Sequence, residues 1–338
     1  MRASFHAWIR RWWAGRAGTS GAALSVLTAP LEWLYGVAVR RRNRSFDRRG
    51  ATAVEGLRVV SVGNLAVGGT GKTPLAAWTA RLLADDALRP CLVARGYGED
   101  ELLLHRRWNP DVPVEADADR VAAAGRARAS GAEVAVLDDG FQHRRLARDV
   151  DLVLLAAEDR FPGRLLPRGP YREPPHALTR AHAVVVTRRS ASASEAAALA
   201  ARVRDDYPRV VVARVALVPG GWRDLEGREA EGPSGPTLCA AAVARPEAFA
   251  DHVRAVTGKP VELVSFPDHH GYRERDARAL RARAGSRTLV VTEKDAVKLE
   301  GWADLLAPTR VLVQELRWEE GEEELKTLIT SVPTRGKS

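Results

Sequence analysis

A glycine-rich turn at residues 61–74 carries the strongest chemical signal in this chain, because its residue types suit phosphate binding. Glycine lacks a Cβ, so successive backbone N–H groups can close around phosphate oxygens. Lys72 would reach the β- and γ-phosphates of a nucleotide, and the Thr73 hydroxyl would be a ligand of Mg²⁺. The residues predicted to bind the nucleotide are Gly68, Gly69, Thr70, Gly71, Lys72 and Thr73.

This turn departs from the full Walker pattern at one position. The pattern has a glycine five residues before Gly71, where this chain has Ala66, and two later glycines partly compensate. A glycine-rich turn between a strand and a helix would have no need of Lys72 and Thr73 at the helix start. Nucleotide binding is therefore the favoured interpretation.

Two adjacent carboxylates, Asp138 and Asp139, follow the apolar run 133–137. In open α/β sheets, ligands bind at the carboxyl ends of the strands. Neighbouring carboxylates repel each other unless a cation neutralises them, so Mg²⁺ shared with Thr73 is the economical interpretation. An ordinary Asp-Asp-Gly turn is the alternative when the pair is taken alone. Glu173, in the Pro/Gly-rich loop 165–173, is a weaker candidate metal ligand.

Two further segments could supply the base or orienting carboxylate that a phosphoryl acceptor hydroxyl needs. Asp100 follows the second predicted strand, where a solvated acidic turn is an equally good interpretation. His269 lies in segment 266–272, where an Asp-oriented histidine could accept a proton. The neighbouring His270 points another way, so a zinc site that needs both histidines is disfavoured. The charges at 292–298 are interpreted as mostly structural.

The elements that must position these residues alternate short β-branched runs with Ala/Arg-rich stretches. Six runs are apolar on both faces, as buried parallel strands are: 57–62, 90–94, 133–137, 151–155, 183–187 and 209–213. Helix-forming stretches lie at 75–86, 118–130 and 194–206. After a Gly/Pro-rich linker at 218–236, a second set of runs lies at 237–243, 261–265, 287–292 and 310–313. The pattern predicts a P-loop NTPase-like, doubly wound, mostly parallel α/β sheet with a second, smaller α/β domain.

The N-terminus has a different character from the rest of the chain. Tryptophans stand at positions 8, 12 and 13, the apolar run 21–39 is broken by Pro30 and Glu32, and six arginines lie between residues 40 and 49. Tryptophan and clustered arginine favour an anionic membrane surface, whereas Pro30 and Glu32 weaken a full span. A monotopic helical anchor is favoured over a packed amphipathic helix, a true span or an uncleaved signal.

These boundaries predict a membrane-associated helical segment at 1–45, a nucleotide-binding kinase domain at 46–220 and a smaller C-terminal domain at 237–333. The 338 residues can bury a substantial core. The net charge of +9 suits phosphorylated substrates or anionic lipid. No recognition motif for nucleic acid is evident, so none is expected as a partner. Cys91 and Cys239 lie in apolar runs and are expected to be buried thiols in a reducing compartment.

Taken together, the motifs resemble one family, tetraacyldisaccharide 4′-kinase, the lipid A kinase of Gram-negative bacteria. A lone phosphate loop is shared by many families, but an ordered set of segments that spans nearly the whole chain is specific. The segments that carry the resemblance are 30–35, 62–74, 95–97, 137–143, 169–173, 266–270 and 292–298.

The resemblance implies transfer of the ATP γ-phosphate to the 4′-hydroxyl of a tetraacylated, 1-phosphorylated glucosamine disaccharide, which gives lipid IVA. It implies work at the cytoplasmic face of the inner membrane, with ATP and Mg²⁺ as cofactors and no obligate protein partner. By resemblance, Asp100 and His269 act together as the base, although the local spacing leaves Glu99 as an alternative acid. Ala66 replaces a hydroxyl residue that is frequent in the family's loop.

Two other functional classes remain open at this stage. A membrane-associated P-loop ATPase or GTPase switch would explain the loop and the anchor, but it has no need of a second domain that contributes Asp and His. A nucleic-acid-binding protein would explain the positive charge, but the arginines are dispersed. Consumption of ATP that depends on the acceptor separates the kinase from both alternatives.

Overall fold

A computed structural model describes residues 8, 9, 11–96 and 98–331, with the side chain of Glu99 outside that set. The described chain divides into two compact units. The first, here the nucleotide unit, comprises residues 8–9, 11–96, 105–216 and 316–331. The second, here the C-terminal unit, comprises residues 98–104 and 217–315. Residues 98–104, which the sequence places in the kinase domain, therefore group with the C-terminal unit.

Seven strands of the nucleotide unit form a wholly parallel array in the order β3-β2-β4-β1-β5-β6-β7. They are β1 (Arg58–Asn64), β2 (Pro90–Ala94), β3 (Val114–Ala116), β4 (Val134–Asp138), β5 (Val150–Ala156), β6 (Ala183–Arg188) and β7 (Val211–Arg223), the last contributing its first residues. Val60 of β1 pairs with Val136 on one side and Val150 on the other. Because the chain winds outward from β1 in both directions, the carboxyl end of β1 is where such a fold binds ligands.

Helices cover this sheet with small and branched apolar side chains, which explains the buried Ala-rich faces. They are α3 (Lys72–Asp85), α5 (Arg120–Ala129), α6 (Ala193–Asp206) and α11 (Glu322–Thr330). Helix α4 (Glu99–Trp108) is divided between the units, because its residues 99–104 group with the C-terminal unit. Asp119 caps α5 by accepting the backbone N–H of Val121, and Ser192 with Glu195 forms a capping box on α6. Helix α3 packs on β1, β2 and β4, so the phosphate loop before it is fixed to the centre of the sheet.

The C-terminal unit has its own four-stranded parallel array in the order β11-β10-β8-β9. The strands are β8 (Thr237–Ala241), β9 (Val261–Ser265), β10 (Thr288–Thr292) and β11 (Thr309–Glu320), the last contributing residues up to Glu315. The helices are α7 (Pro246–Thr257), α8 (Glu274–Ala284), α9 (Glu293–Leu299) and α10 (Ala303–Leu306). Leu280, Leu289 and Tyr272 belong to its hydrophobic core. A second, smaller α/β unit is thus present, but residues 316–331, which the predicted bounds 237–333 include, group with the nucleotide unit.

Two helices, α1 (Gly18–Leu27) and α2 (Ala29–Arg49), form the N-terminal part of the nucleotide unit. Helix α2 and the residues before α1 contact loop 165–173: Tyr35 OH of α2 donates to the Arg172 carbonyl at 3.1 Å, and Trp13 Nε1 donates to the Pro167 carbonyl at 2.9 Å. Within the described residues, no single helix is long and apolar enough to cross a bilayer. By length and composition alone, α1 and α2 together are long and apolar enough, as a pair of helices bent by 51°.

Candidate active site

The phosphate loop is anchored on both sides within the nucleotide unit. Strand β1 ends at Asn64, whose Nδ2 donates to Thr70 Oγ1 at 2.8 Å, and Thr187 Oγ1 of β6 donates to the Thr70 carbonyl at 2.9 Å. Gly71 has φ +94°, a left-handed conformation that suits glycine, and α3 begins at the next residue, Lys72. The loop therefore presents the N-terminus of a helix, which favours anions.

The sequence-predicted residues Gly68 and Gly69 are exposed in this loop, whereas Thr70 and Gly71 are buried and Lys72 and Thr73 are half-buried. Gly68 has φ +120°, and a Cβ built there would meet nothing within 4 Å, so its requirement for glycine comes from the backbone alone. An exposed, glycine-built turn fixed by a buried threonine suits the close approach of phosphate oxygens to the backbone.

Asp139 lies directly after β4 in a left-handed conformation with φ +57°. Arg172 grips both of its oxygens, at 2.9 Å and 2.7 Å, and Lys72 Nζ lies 3.8 Å away. Burial alone would raise the pKa of Asp139, but the hydrogen bonds from Arg172 and the charges of Lys72 and Arg172 lower it to about 2. This carboxylate is therefore ionised and holds two cations beside the phosphate loop. Arg172 was not among the site residues predicted from the sequence, although it lies in the Pro/Gly-rich loop 165–173 next to Glu173.

Asp138 is placed differently from its neighbour. It is buried, and its Oδ2 lies 3.0 Å from Nε2 of His105, a fully buried residue near the end of α4. No local sequence signal indicates this pair, because His105 lies 33 residues from Asp138 in the chain. One oxygen of Asp138 is thus engaged by an imidazole within the protein.

Several oxygens of the predicted metal ligands already contact nitrogen atoms of other side chains. Among the described residues, no group of three or more His, Cys, Asp and Glu side chains is arranged to hold a metal ion. Glu173 is buried, and its Oε2 accepts from Asn43 at 2.8 Å and from Arg180 at 2.9 Å. Mg²⁺ with a nucleotide needs only one or two protein carboxylates besides phosphate oxygens and water. Oxygen donors of Thr73, Asp138 and Asp139 suit that requirement in chemistry, so their role stays a prediction.

The second predicted pair, Asp100 and His269, is in direct contact within the C-terminal unit. His269 Nδ1 lies 3.1 Å from both oxygens of Asp100, although 169 residues separate the two in sequence. The predicted bounds placed Asp100 in the kinase domain, 46–220, and His269 in the smaller domain, 237–333. Because residues 98–104 belong to the C-terminal unit, the contact is instead internal to one unit. The side chain of Glu99, the alternative acid, lies outside the described residues.

The electrostatics of this pair are those of a proton-accepting couple. Burial would raise the pKa of Asp100, but the hydrogen bond to His269 and the charges of Lys294, His269 and Lys298 lower it to about 2. The hydrogen bond to Asp100 raises the pKa of His269. The Asp100 side chain is 2% exposed and that of His269 is 28% exposed.

The backbone around this pair is constrained. His269 has φ +59°, an uncommon conformation for a residue with a side chain, and Gly98 has φ +89°. A Cβ built on Gly98 would lie 2.6 Å from Asp100 Oδ1 and 2.9 Å from His269 Nδ1. Only glycine therefore allows this close approach of the backbone to both groups.

Comparison with known proteins gives consistent results. The family described as tetraacyldisaccharide-1-P 4′-kinase matches residues 24–102 and 97–333. A tetraacyldisaccharide 4′-kinase of Anaeromyxobacter dehalogenans strain 2CP-C is 38% identical over 86% of this chain and 85% of its own. One from Syntrophus aciditrophicus is 35% identical over 84% and 86% of the two chains. A crystal structure described as an "apo" form of LpxK from Aquifex aeolicus in complex with ATP has a TM-score of 0.70 at 27% identity, and covers 91% of this chain and 99% of that chain.

Proposed function

The chain belongs to the tetraacyldisaccharide-1-P 4′-kinase family and is therefore an ATP-dependent kinase of lipid A biosynthesis, and we propose how its own residues carry out the reaction. The γ-phosphate of ATP passes to the 4′-hydroxyl of tetraacyldisaccharide 1-phosphate, and the product is lipid IVA. The observation that best supports this chemistry in the chain is the Asp100–His269 contact, which a nucleotide switch would not need.

The phosphate loop binds and orients the nucleotide in this proposal. Backbone N–H groups of residues 68–71 surround the phosphates, and the N-terminus of α3 adds its positive partial charge. Lys72 neutralises charge that develops on the transferring γ-phosphoryl group. Arg172, held by Asp139 beside Lys72, adds positive charge to the same loop region.

Asp100 accepts the proton of the acceptor hydroxyl. As the hydroxyl oxygen forms its bond to the γ-phosphorus, the bond from phosphorus to the β,γ-bridging oxygen breaks and ADP leaves. The proton passes to the ionised Asp100, and His269 orients the carboxylate and shares the proton. Because the transition state of phosphoryl transfer is loose, positioning of these groups contributes more than base strength.

Mg²⁺ would be held by oxygen donors of Thr73, Asp138 and Asp139, and it would supply charge neutralisation at the β- and γ-phosphates. We expect strict Mg²⁺ dependence, which Asp139→Asn shifts or abolishes, in titrations of activity against Mg²⁺. Unchanged titrations in both Asp138→Asn and Asp139→Asn would assign the pair to a structural turn instead. The buried Asp138–His105 contact makes Asp138→Asn the variant whose folding must be checked first.

The proposed location is the cytoplasmic face of the inner membrane, through the N-terminal helices. Large exposed apolar side chains cluster on α1 and α2, namely Val26, Leu27, Leu31, Trp33 and Leu34. The arginines at positions 40, 41, 42, 44, 48 and 49 are exposed on α2. Apolar contact combined with basic charge suits an anionic bilayer.

This anchor can be tested with vesicles. Removal of residues 1–45 would also delete Tyr35 and Trp13, which bind loop 165–173, so a point variant is the better probe. We expect Trp33→Ser combined with Leu34→Ser to weaken pelleting with anionic vesicles and to leave ATP binding unchanged. Equal pelleting of the wild-type protein and this variant would contradict the proposal. Val256→Ser, which alters an exposed apolar side chain of the C-terminal unit, is the matched control.

The decisive experiment for the reaction measures transfer of radiolabelled γ-phosphate from ATP to the purified disaccharide acceptor. We expect a labelled 4′-phosphate that requires both the protein and the acceptor. Consumption of ATP that is equal with and without acceptor, and that leaves the acceptor unlabelled, would support a nucleotide switch and overturn the proposed reaction.

A further inference from the structure

Two lysines approach the Asp100 carboxylate from one short helix of the C-terminal unit. Lys294 and Lys298 lie four residues apart on α9, so they share a face of that helix. The Nζ of each lies 3.6 Å from Asp100 Oδ2. Asp100 therefore faces two ammonium groups in addition to the His269 imidazole.

The other charged groups around this cluster are carboxylates. Lys294 Nζ also lies 3.4 Å from Glu101 Oε1, and Lys298 Nζ lies 3.3 Å from Asp295 Oδ1. Asp268 Oδ2 lies 4.0 Å from His269 Nε2. These carboxylates lie close to the two lysines and to His269, and their negative charges act with the lysines on the protonation of the Asp100–His269 pair.

Lys298 is the more informative of the two lysines. Its side chain is 11% exposed, and its buried Nζ forms no hydrogen bond within the described part of the chain. A buried ammonium group is costly unless carboxylates lie close to it. Asp100 and Asp295 are the two carboxylates within reach. Lys298 is thus held by ion pairing with these carboxylates and by the Tyr272 ring, whose centroid lies 5.3 Å from its Nζ.

The need to neutralise the Asp295 charge does not by itself explain why Lys298 is buried here. The Asp295 carboxylate already accepts from the Ala242 backbone N–H at 3.1 Å, from Tyr272 OH at 3.0 Å and from Thr292 Oγ1 at 2.6 Å. These donors stabilise Asp295 without any lysine. Asp100, by contrast, contacts His269 and the two lysines, and it accepts from the backbone N–H of Glu101 at 3.1 Å.

We propose that Lys294 and Lys298 are positioning residues for Asp100: they keep its carboxylate ionised and turned toward His269 until the acceptor hydroxyl arrives. This inference rests on the proposed role of Asp100 as the base. Positive charge close to a buried carboxylate favours its ionised form, and only that form can accept the hydroxyl proton. The sequence pattern 292–298 therefore has a role in the reaction beyond the structural one expected for it.

The test is the pH profile of phosphate transfer in the full-length protein. We expect Lys294→Met combined with Lys298→Met to shift the acid limb of the profile to higher pH by about 2 pH units or more. One nearby opposite charge shifts the pKa of a carboxyl group by about 1 to 3 units. The loss of rate is then greatest at low pH and recovers as the pH rises. ATP affinity stays unchanged. Lys294→Arg, which keeps the charge, restores most of the wild-type profile.

Two controls separate positioning from stability. Tyr272→Phe removes a donor to Asp295 without altering a contact of Asp100, so it can lower the melting temperature but leaves the acid limb in place. Lys326→Met removes an exposed lysine that pairs with Glu322 and Glu323. It should change neither the melting temperature nor the acid limb of the pH profile. If the double variant does not fold, the single Lys294→Met variant, whose side chain is 21% exposed, is measured for a smaller shift of the same sign.

The outcomes distinguish this inference from the reaction on which it rests. Normal phosphate transfer by the Asp100→Asn variant would show that Asp100 is not the base. Loss of transfer in Asp100→Asn, together with a wild-type pH profile in the lysine variants, would overturn the positioning role alone. An equal loss of rate at every pH in the lysine variants would also overturn it, because that result indicates a purely structural role.

Discussion

Two carboxylates in different units of this protein, Asp139 and Asp100, have the same low pKa of about 2 but reach it by different means. Asp139 is 39% exposed and is gripped at both oxygens by Arg172, a permanent cation. Asp100 is 2% exposed and contacts His269 with two lysines nearby. Of these partners, the imidazole is the group that exchanges protons near neutral pH.

The difference indicates a division of roles. A carboxylate locked by guanidinium is suited to hold positive charge in a fixed place, because neither member of the pair readily changes its protonation. A carboxylate that shares a proton with imidazole is suited to acid–base chemistry. Both regions include left-handed backbone at a residue with a side chain, Asp139 and His269, as strained functional positions often do.

The largest expected effect tests whether Asp100 and His269 act as one unit. Asp100→Ala and His269→Ala should each lower turnover by roughly 10² to 10⁴, the range of general acid–base catalysis. The double variant should lose little more than the worse single variant. Nucleotide affinity should barely change. Turnover and ATP affinity of the three variants decide the matter.

Losses that multiply in the double variant would mean independent roles. Full activity of Asp100→Ala would move the base to Glu99 or to another residue. His270→Ala is the matched control, because Nε2 of the neighbouring His270 lies 3.2 Å from Oδ2 of a different carboxylate, Asp276.

In the region of Asp139, Lys72→Ala should lower turnover by on the order of 10²-fold or more, by analogy with loss of one preorganised transition-state donor. The loss should be the same across the pH range, because Asp139 keeps Arg172 as its partner. Substitution of the lysines near Asp100, by contrast, should have an effect that depends on pH. The measurement is turnover at several pH values. Lys259→Ala, at an exposed position, is the control. Near-normal turnover in a folded Lys72→Ala protein would remove the phosphate-loop assignment.

The strands and the phosphate loop were largely predictable from the sequence, because buried parallel strands are apolar on both faces. Strands at 90–94 and 261–265 have the predicted bounds. The mostly parallel α/β class is confirmed by the strand pairings and by the likeness to the Aquifex aeolicus structure. The linker expected at 218–236 is wrong in its first part, since β7 continues to Arg223. Glycine and proline obscured that extension, because they are uncommon inside strands.

Other features depended on contacts between distant segments and had no local signal. The segment after β2 was interpreted as a possible solvated turn, but it forms α4 and buries Asp100 and His105. The contacts of Lys298 with Asp100 and of Arg172 with Asp139 join residues far apart in the chain. Motif resemblance identified Asp100 and His269, whereas charge spacing alone did not identify the groups that surround them.

A smaller effect is expected at Gly98, where the comparison can be sharpened without removing a charged group. Gly98→Ala should displace Asp100 and His269, because the added Cβ would come within 2.6 Å and 2.9 Å of their atoms, and its left-handed φ adds strain. We expect a loss of turnover of about 10-fold or more, since small displacements at a reacting centre are costly. Gly125→Ala on α5 has nothing within 4 Å of the added Cβ and is the control. Wild-type turnover in Gly98→Ala would show that the two groups need no fixed approach.

The smallest expected effect is on stability, and it follows from the opposite shifts within the Asp100–His269 pair. Asp100 has its pKa lowered from 3.8 to about 2, so its contribution to stability is present above 3.8 and is lost as the pH falls through 2. His269 has its pKa raised above 6.5, so its contribution is present below 6.5 and is lost as the pH rises through the raised value. The pair should therefore stabilise the fold most between these two ordinary values. From the carboxyl shift alone, the contribution is at most about 2 kcal/mol. The measurement is the free energy of unfolding of the wild-type protein minus that of Asp100→Asn across this pH range. A free-energy difference that peaks between the two ordinary pKa values and falls on both sides identifies a proton-sharing pair. A difference that stays constant from neutral pH upward would mean that Asp100 acts as a fixed charge, as Asp139 does.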